Sequence, residues 1–281
     1  MNGLRFFFLD EGEIKEPQKP SAYCLGGYMF EGNILELHSI VTAAKQSVGL
    51  EAWMPIKWNF DRRMEDFYRM YLRSNNFHQA WQNIKKRSHF IRKNFLLHIL
   101  QHTELKLFFS VTLFKSEDEK NQSLEWTITN LFQRIGLNVS SELINIVMCD
   151  FMHPKDIRRK LLESAWFNAF YKGQGYFSGS LEQLGVFPAI SYSSTLINPF
   201  LQIADLIVGG LTDLIKTWLR NEAPKELMRE LFPSLYQHFV ANPKTKRIGR
   251  YGFVFGGRER NWHYISFGNY LKNHGLLNTE S

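Results

Sequence analysis

The sequence has few cysteines: only Cys24 and Cys149 occur among its 281 residues. Two cysteines cannot build the disulfide framework that stabilises small secreted domains, and both lie in apolar stretches typical of strands. The N-terminal stretch MNGLRFFFLDEGE is interrupted by Arg5 and is acidic after residue 9, unlike the basic and then apolar order of a signal peptide. We therefore expect a protein of the reducing cytoplasm.

Long hydrophobic runs and the common nucleotide-handling motifs are also missing. The most apolar stretch, LQIADLIVGGLTDLI, is broken by Asp205 and Asp213 and is too short to span a bilayer. We therefore expect no membrane partner. The sequence contains no glycine-rich phosphate loop, paired-cysteine zinc motif or serine nucleophile elbow, which argues against the usual classes of nucleotide hydrolase.

Positive charge is in excess, with a formal net charge of +7 and a pI of about 9.3. Basic residues with interleaved aromatics cluster at 83–95, 155–160, 242–252 and 256–264. Each cluster alone could be a solvated surface, but four of them make a nucleic-acid partner equally plausible. The residues expected to contact nucleic acid are Lys57, Lys85, Lys86, Arg87, Arg158, Arg159, Lys246, Arg247 and Arg250. For Lys57 the open alternative is a surface lysine beside a core tryptophan.

The order of apolar patterns predicts an α/β protein with a mixed sheet flanked by helices. Strands are predicted at 4–9, 23–30, 104–114, 141–151, 185–194 and 251–255, and helices at 32–50, 61–102, 123–137, 154–173, 198–220 and 224–240. The first two strands are expected to form a hairpin, and 51–58 an extended segment at an edge. We predict one domain over 1–281, with a helical insertion at about 61–102 and a basic C-terminal extension at about 222–281.

Three aspartates stand at comparable places in this pattern. Asp10 is predicted to end the first strand, Asp150 to end a central strand, and Asp205 to lie in the helix after the last long strand. If the first and fourth strands are neighbours, Asp10 and Asp150 lie about 4.8 Å apart. Carboxylates that close repel each other unless a cation such as Mg²⁺ or Mn²⁺ binds between them.

Purely structural roles are also open to these acids. Asp10 and Glu11 could begin a turn, Asp150 could cap the following helix, and Asp205 could lie on an exposed helix face. Gln202 and Gly209 share the helix face of Asp205, since they lie three positions before it and four after it. Ser194 is expected to cap the approach to this helix.

Four motifs resemble a known family. They are FLDEG at 8–12, LGGYMF at 25–30, the strand closing on Asp150, and SYSSTLINPFLQIADLIVGG at 191–210. These look like the prokaryotic proteins called domain of unknown function 3800. The resemblance implies a ribonuclease H-like fold, with Asp10, Asp150 and Asp205 as acidic site residues and Glu11 and Gln202 as adjoining motif residues. The serine that the family carries after Glu11 is absent, since Gly12 follows directly.

The combined hypothesis is a divalent-metal-dependent nuclease acting on DNA or RNA, with two Mg²⁺ or Mn²⁺ ions. Asp10 would bridge the ions, Asp150 and Asp205 would each complete one shell, and Glu11 would be a fourth ligand or a base. The alternative is a non-catalytic nucleic-acid-binding or regulatory module. A role in prokaryotic defence or mobile-element biology, with a protein partner, is a further hypothesis.

Overall fold

The fold is a six-stranded mixed sheet covered by helices, seen in a computed structural model that describes residues 3–16, 20–72, 77–139, 141–150, 156–172 and 180–277. The strands lie in the order β5-β4-β1-β2-β3-β6. Only β2 among these six runs antiparallel to its neighbours. The predicted α/β class with a mixed sheet is confirmed. The strands are β1 Leu4–Ile14, β2 Ser21–Glu31, β3 Lys106–Phe114, β4 Ile144–Asp150, β5 Val186–Ser193 and β6 Phe253–Phe255.

Helices pack on both faces of this sheet. They are α1 Ile34–Ser47, α2 Arg62–Leu72, α3 Phe77–Lys86, α4 Ser88–His102, α5 Glu117–Asn138, α6 Ile157–Phe167, α7 Pro199–Arg220, α8 Glu226–His238 and α9 Arg260–Asn273. A π-helical turn, Asn168–Lys172, continues α6. Within the described ranges, no helix combines the length and the apolar character needed to cross a membrane.

Strand β1 divides its side chains between two hydrophobic cores. Phe6 and Phe8 face the core that contains α7, α1, α4 and α8, whereas Phe7 and Leu9 face the core that contains α5 and α6. This is the alternation of a strand whose two faces are both covered. Even-numbered residues of β1 therefore face the α7 side of the sheet and odd-numbered residues face the other side, and this alternation also places the acidic residues of β1.

The hairpin of β1 and β2 is confirmed, but the predicted end of β1 is wrong. The strand continues to Ile14, and residues 10–14 remain paired with 22–26 of β2. Asp10 and Gly12 therefore lie inside a strand rather than at its tip. Acidic residues at this place are typical of a turn. The strand continues instead, because pairing with β2 satisfies the backbone N–H and C=O groups of these residues.

The predicted helical stretch 61–102 contains α2, α3 and α4, and these helices join the same core as α7. Tyr68, Trp81 and Phe95 are fully or almost fully buried in it. The predicted extended segment 51–58 is irregular and forms no strand. The start predicted for the helix 154–173 falls in 151–155, outside the described residues, and the helix that is described begins at Ile157.

The region after residue 222 contains one helix that the sequence pattern did not indicate. Apolar and polar residues alternate around α9 without a helical stripe, because Phe267, Tyr270 and Leu271 are buried while Trp262 and Ile265 are exposed. The helix covers β6, and Phe253 stacks on Phe267 with ring centroids 5.3 Å apart. The C-terminal region is therefore part of the core around α7.

Candidate metal centre

Asp10 and Asp150 lie side by side on neighbouring parallel strands. Leu9 of β1 pairs with Cys149 of β4, so the two aspartates are the next residues along each strand. Asp10 lies on the same face of β1 as Phe6 and Phe8. Asp150 lies on the same face of β4 as Met148, which packs against the same core. Both carboxylates therefore face the α7 side of the sheet, as the hypothesis requires. The described part of β4 reaches Asp150, and residue 151, with which the predicted strand ended, lies outside the described residues.

Asp205 reaches the same side from α7. This helix begins at Pro199 behind the N-cap Asn198, whose side chain accepts hydrogen bonds from the backbone N–H groups of Phe200 and Leu201. The N-cap is therefore Asn198, and Ser194 acts in the approach to the helix, as predicted, rather than at the cap position itself. The hydroxyl of Ser194 instead accepts a hydrogen bond from the N–H of Leu196, in the turn that precedes the helix.

A glycine places the segment before α2 against Asp205. A Cβ built on Gly209 would lie 2.4 Å from Trp58 Cβ, so Trp58 crosses α7 where no side chain intervenes. The backbone N–H of Trp58 donates to Asp205 Oδ2, and its indole Nε1 donates to Asp213 Oδ2 at 2.9 Å. Asp205, Gly209 and Asp213 are spaced by four, and they form one stripe that holds this segment.

Each of the three aspartates has one oxygen fixed by a backbone N–H. The donors are Glu11 N to Asp10 Oδ1 at 2.8 Å, Thr195 N to Asp150 Oδ1 at 2.9 Å, and Trp58 N to Asp205 Oδ2. Backbone donors fix the carboxylates more rigidly than long side chains would, because they lose no rotamer freedom. The three carboxylates are thus held in fixed orientations.

Gln202 holds the loop whose backbone orients Asp150. Its side chain is buried, and its Nε2 donates to the carbonyl of Thr195 at 2.9 Å, while the N–H of Thr195 holds Asp150. The Oε1 of Gln202 is buried and has no hydrogen-bond partner among the described residues. Gln202 therefore positions the loop that orients Asp150.

The carboxylates repel one another electrostatically. Burial raises the pKa of Asp10 well above its ordinary value, and the charges of Asp205 and Asp150 raise it further. Burial also raises the pKa of Asp205, to about 6, although Lys57 and the N–H of Trp58 oppose the shift. Additional positive charge at this place would stabilise the ionised carboxylates.

Lys57 lies inside this cluster rather than on the open surface. Its ammonium is 3.8 Å from Asp205 Oδ1 and 3.6 Å from Asp61 Oδ2, and its side chain is 13% exposed. Burial lowers its pKa, but the attraction of Asp205, Asp61, Asp150 and Asp10 outweighs burial, and the pKa is raised overall. Lys57 is therefore the cation that partly balances the aspartates in this structure.

Sequence reasoning missed two residues beside the cluster. Asp61 precedes α2, where its Oδ1 accepts the N–H of Met64 at 2.9 Å. Arg92 of α4 lies over the ring of Trp58 at 5.5 Å, and its buried Nε has no partner among the described residues. Asp61 has the sequence signal of a helix cap, whereas Arg92 looks like any basic residue of an amphipathic helix.

Glu11 lies on the other face of the sheet, so the prediction that it ligates metal together with Asp10 lacks structural support. Its carboxylate is ion-paired with Arg158 and accepts a hydrogen bond from the hydroxyl of Tyr23, a residue of the α5 and α6 core. Arg158 also pairs with Asp156, the N-cap of α6. Arg158, predicted to contact nucleic acid, is thus held in an internal ion-pair network.

The remaining predicted contact residues lie on several separate elements. Lys85 and Lys86 are exposed at the end of α3, and the guanidinium of Arg87 donates to the carbonyl of Val48 at 2.9 Å. Arg159 pairs with Glu163 and lies 4.3 Å over the ring of Tyr192. Lys246, Arg247 and Arg250 are exposed in the turn before β6. Since β6 is three strands from β1, that turn is displaced sideways by about 14 Å.

The donor set has the right chemistry for a hard divalent cation, because carboxylate oxygens are the ligands that Mg²⁺ and Mn²⁺ prefer. The repulsion between the buried Asp10 and the neighbouring carboxylates, and the unpartnered Oε1 of Gln202, also favour a cation at this place. The spacing is not that of a preformed site, since no group of three His, Cys, Asp or Glu side chains in the described part of the chain is arranged to hold a metal ion. The fit is therefore one of charge and donor type.

Comparisons of the chain with protein-family models, with curated proteins and with solved structures find no match. The family resemblance of the four motifs therefore stays a prediction.

Proposed function

We propose that this protein is a divalent-metal-dependent nuclease with a ribonuclease H-like fold, hydrolysing phosphodiester bonds of DNA or RNA. The observation that carries the proposal is the meeting of Asp10, Asp150 and Asp205 on one side of the sheet, where Asp10 is buried, the other two are half-buried, and their charges raise the pKa of Asp10. Buried carboxylates with raised pKa values that meet in one place are typical of functional sites.

The topology supports the fold assignment. A sheet in the order β5-β4-β1-β2-β3, in which only β2 is antiparallel, is the arrangement expected of the fold that the family resemblance implies. The aspartates of β1 and β4 lie near the carboxyl end of the parallel strands, where ligands of α/β sheets collect. The additional strand β6 extends the sheet at the edge far from these residues.

In this proposal Asp10, Asp150 and Asp205 would hold Mg²⁺ or Mn²⁺, and a backbone N–H already fixes one oxygen of each carboxylate. When bound, the ions lower the pKa of a water molecule and stabilise charge on the phosphate oxygens. The Lys57 ammonium is a candidate for contacting a non-bridging phosphate oxygen, because it already lies among the carboxylates. The guanidinium of Arg92 adds positive charge beside Trp58.

The substrate class follows from charge. The chain carries a net charge of +7, which favours a polyanion and predicts binding that weakens steeply with salt. Lys85, Lys86 and the turn at 246–250 are exposed cations that would contact the phosphate backbone away from the scissile bond. A cytoplasmic location and a protein partner in a prokaryotic defence system remain proposals of the same kind.

The test is cleavage of labelled single-stranded and duplex DNA and RNA by the purified protein with Mg²⁺, Mn²⁺ or EDTA. We expect metal-dependent products, and no products from Asp10→Asn or Asp205→Asn at unchanged circular dichroism. A matched control is Asp118→Asn, which alters an acid of α5 outside the site. Equal cleavage by wild type and Asp10→Asn would overturn the proposal.

A non-catalytic nucleic-acid-binding module is the second candidate, and one observation favours it. The ammonium of Lys57 already supplies one positive charge next to Asp205 and Asp61, and it could take the place of a metal ion. This candidate predicts no heat on Mn²⁺ titration together with intact nucleic-acid affinity. Metal-dependent cleavage that is lost in Asp10→Asn would exclude it.

A further inference from the structure

A large cavity among the described residues lies away from the aspartates and is not used by the proposed reaction. It has a volume of about 1020 Å³, at the upper end of the range of small-molecule sites. It is lined by α5 and α9, which we call its walls, by the residues that follow β3 and β6, which we call its floor, and by the end of α7. We call it the tryptophan cleft, defined by Gln122, Trp126, Gly257, Trp262, Asn269 and Asn273.

Both walls combine an aromatic ring with carboxamides. On α9, Trp262, Asn269 and Asn273 follow at intervals of seven and four residues, so they share one helix face. On α5, Gln122 and Trp126 are four apart and also lie on one face. Flat rings with carboxamide donors and acceptors suit a planar heterocycle that offers hydrogen bonds at its edge.

The tryptophan at the mouth is exposed without an evident structural need. Trp262 is 63% exposed, although α9 carries apolar residues that do reach the core. Among the described residues, the one ring that contacts it is that of the buried His263, at 5.7 Å between centroids and an interplanar angle of 75°. An exposed aromatic face beside a large cleft is typical of a binding surface.

The floor is shaped to keep the inner ring accessible. Gly257 has φ +88°, a conformation that favours glycine, and a Cβ at this position would lie 3.5 Å from Trp126 Cζ3. Any larger residue at 257 would therefore cover part of this ring. Gly257 thus leaves this part of the Trp126 ring uncovered.

Local charge argues against a site built for phosphate alone. The cations Lys115 and Arg258 are matched by Glu119 and Glu259, and Lys115 lies 3.8 Å from Glu259. A balanced lining favours stacking and hydrogen bonding over capture of an anion. We propose that the tryptophan cleft binds an unpaired nucleobase, of a single-stranded nucleic acid or of a free nucleotide.

The single-stranded source fits the position of the cleft, and this part rests on the proposed function. Because β3, β4 and β6 run parallel to β1, the floor of the cleft and Asp150 both lie at the carboxyl ends of their strands. Four strand spacings, about 19 Å, separate β4 from β6. One nucleic-acid strand lying along this edge of the sheet would contact both places.

The experiment measures binding in EDTA, so that the result does not depend on metal or on cleavage. Fluorescence anisotropy would follow a labelled single-stranded oligonucleotide and the matching duplex, and quenching of tryptophan fluorescence would follow AMP and UMP. We expect Trp262→Ala to weaken binding of the single strand about tenfold, and Trp262→Phe to restore most of it, since stacking needs only an aromatic face. Trp53→Ala is the matched control, because Trp53 is also exposed but packs against the ring of Tyr71 of α2.

A second variant, Asn269→Leu, removes one amide while leaving both rings in place, and it should reduce discrimination between AMP and UMP. Binding of the mononucleotides alone, lost in Trp262→Ala, supports the cleft with free nucleotide as its source. Single-strand and nucleotide affinities that are unchanged in both Trp262→Ala and Asn269→Leu overturn it, as does an equal loss in Trp53→Ala. Binding through the cleft without any cleavage in Mn²⁺ would overturn only the proposed nuclease function.

Discussion

Trp58 lies directly on Gly209, and this contact determines the surroundings of Asp205. A Cβ at position 209 would lie 2.4 Å from the Cβ of Trp58 and 2.4 Å from its Cγ. The close approach brings the N–H of Trp58 to Asp205, and it brings the preceding residue, Lys57, within 3.8 Å of the same carboxylate. One missing side chain on α7 therefore gives the site both its backbone donor and its cation.

Gly209→Ala should destabilise the protein, although alanine is the better helix former. Overpacking a tight contact costs about 1–3 kcal/mol, which outweighs the helix-propensity gain of about 0.5–1 kcal/mol. Urea unfolding followed by circular dichroism would measure the change. We also expect weaker metal binding, because Trp58 must move away from Asp205.

Gly268→Ala is the control for that substitution. Gly268 lies inside α9, and a Cβ there meets no atom within 4 Å. Helix propensity alone then predicts a gain of about 0.5–1 kcal/mol in the free energy of unfolding. Equal effects at 209 and 268 would show that the contact with Trp58 is not tight.

The stability of the metal-free protein should fall as pH rises from about 4 to about 6. Burial raises the pKa of Asp205 from 3.8 to about 6, so the folded state binds a proton that the unfolded state has already released. The stability that this proton confers is complete below pH 4 and is lost as pH rises through the folded pKa. The raised pKa of Asp10 acts with the same sign.

Asp205→Asn removes this dependence and isolates it from other titrating groups. The free energy of unfolding of the variant relative to wild type, in EDTA, should rise by something on the order of 2–3 kcal/mol between pH 4 and pH 7. Chemical denaturation at the two pH values provides the measurement. A constant difference between variant and wild type would mean that Asp205 is not under electrostatic stress.

Lys57→Met should destabilise the metal-free protein at pH 7 and make added Mn²⁺ more stabilising. The variant loses the ammonium 3.8 Å from Asp205, for a cost of about 1–3 kcal/mol, less than that of breaking a fully buried pair. Thermal melts with EDTA and with Mn²⁺ would separate the two effects. Lys225→Met is the control, since Lys225 pairs with Asp213 from an exposed position and should cost about 0–1 kcal/mol.

Gln202→Leu should reduce cleavage more than the small change in its volume suggests. The carbonyl of Thr195 loses a buried donor, which costs about 1–3 kcal/mol, and the loop that holds Asp150 relaxes. Single-turnover cleavage rates and melting temperatures would be compared with those of Thr195→Val. Thr195→Val keeps the backbone N–H that orients Asp150 and removes only the hydroxyl, which lies 3.4 Å from Asp150 Oδ2. This control variant should therefore behave nearly as wild type.

Part of the fold and of the site could be predicted because local patterns determine it. Three consecutive phenylalanines, which are strand formers, indicated β1, and Asn198 and Pro199 marked the start of α7. The meeting of Asp10 and Asp150 depends on β1 and β4 being neighbours, and this adjacency is confirmed. These features depend on short-range periodicity and on the general behaviour of strand ends in α/β sheets.

The rest depends on contacts between distant residues, which periodicity does not encode. The extension of β1 to Ile14 depends on pairing with β2, and the side on which Glu11 lies follows from that extension. Lys57 looked like an ordinary lysine because its partner Asp205 is 148 positions away in the chain. The helix α9 carried no apolar stripe, because it is buried by a few residues and exposes Trp262 to the cleft.

The most direct test of the central claim, that Asp10, Asp150 and Asp205 form one divalent-cation site, is calorimetric titration of Mn²⁺ into wild type and Asp10→Asn near pH 6. The account predicts binding by wild type with release of protons, because Asp205, with a pKa raised to about 6, is partly protonated at this pH before metal binds. It predicts at least about tenfold weaker binding by Asp10→Asn. Absence of binding by wild type, or equal affinity of the two proteins, would contradict it.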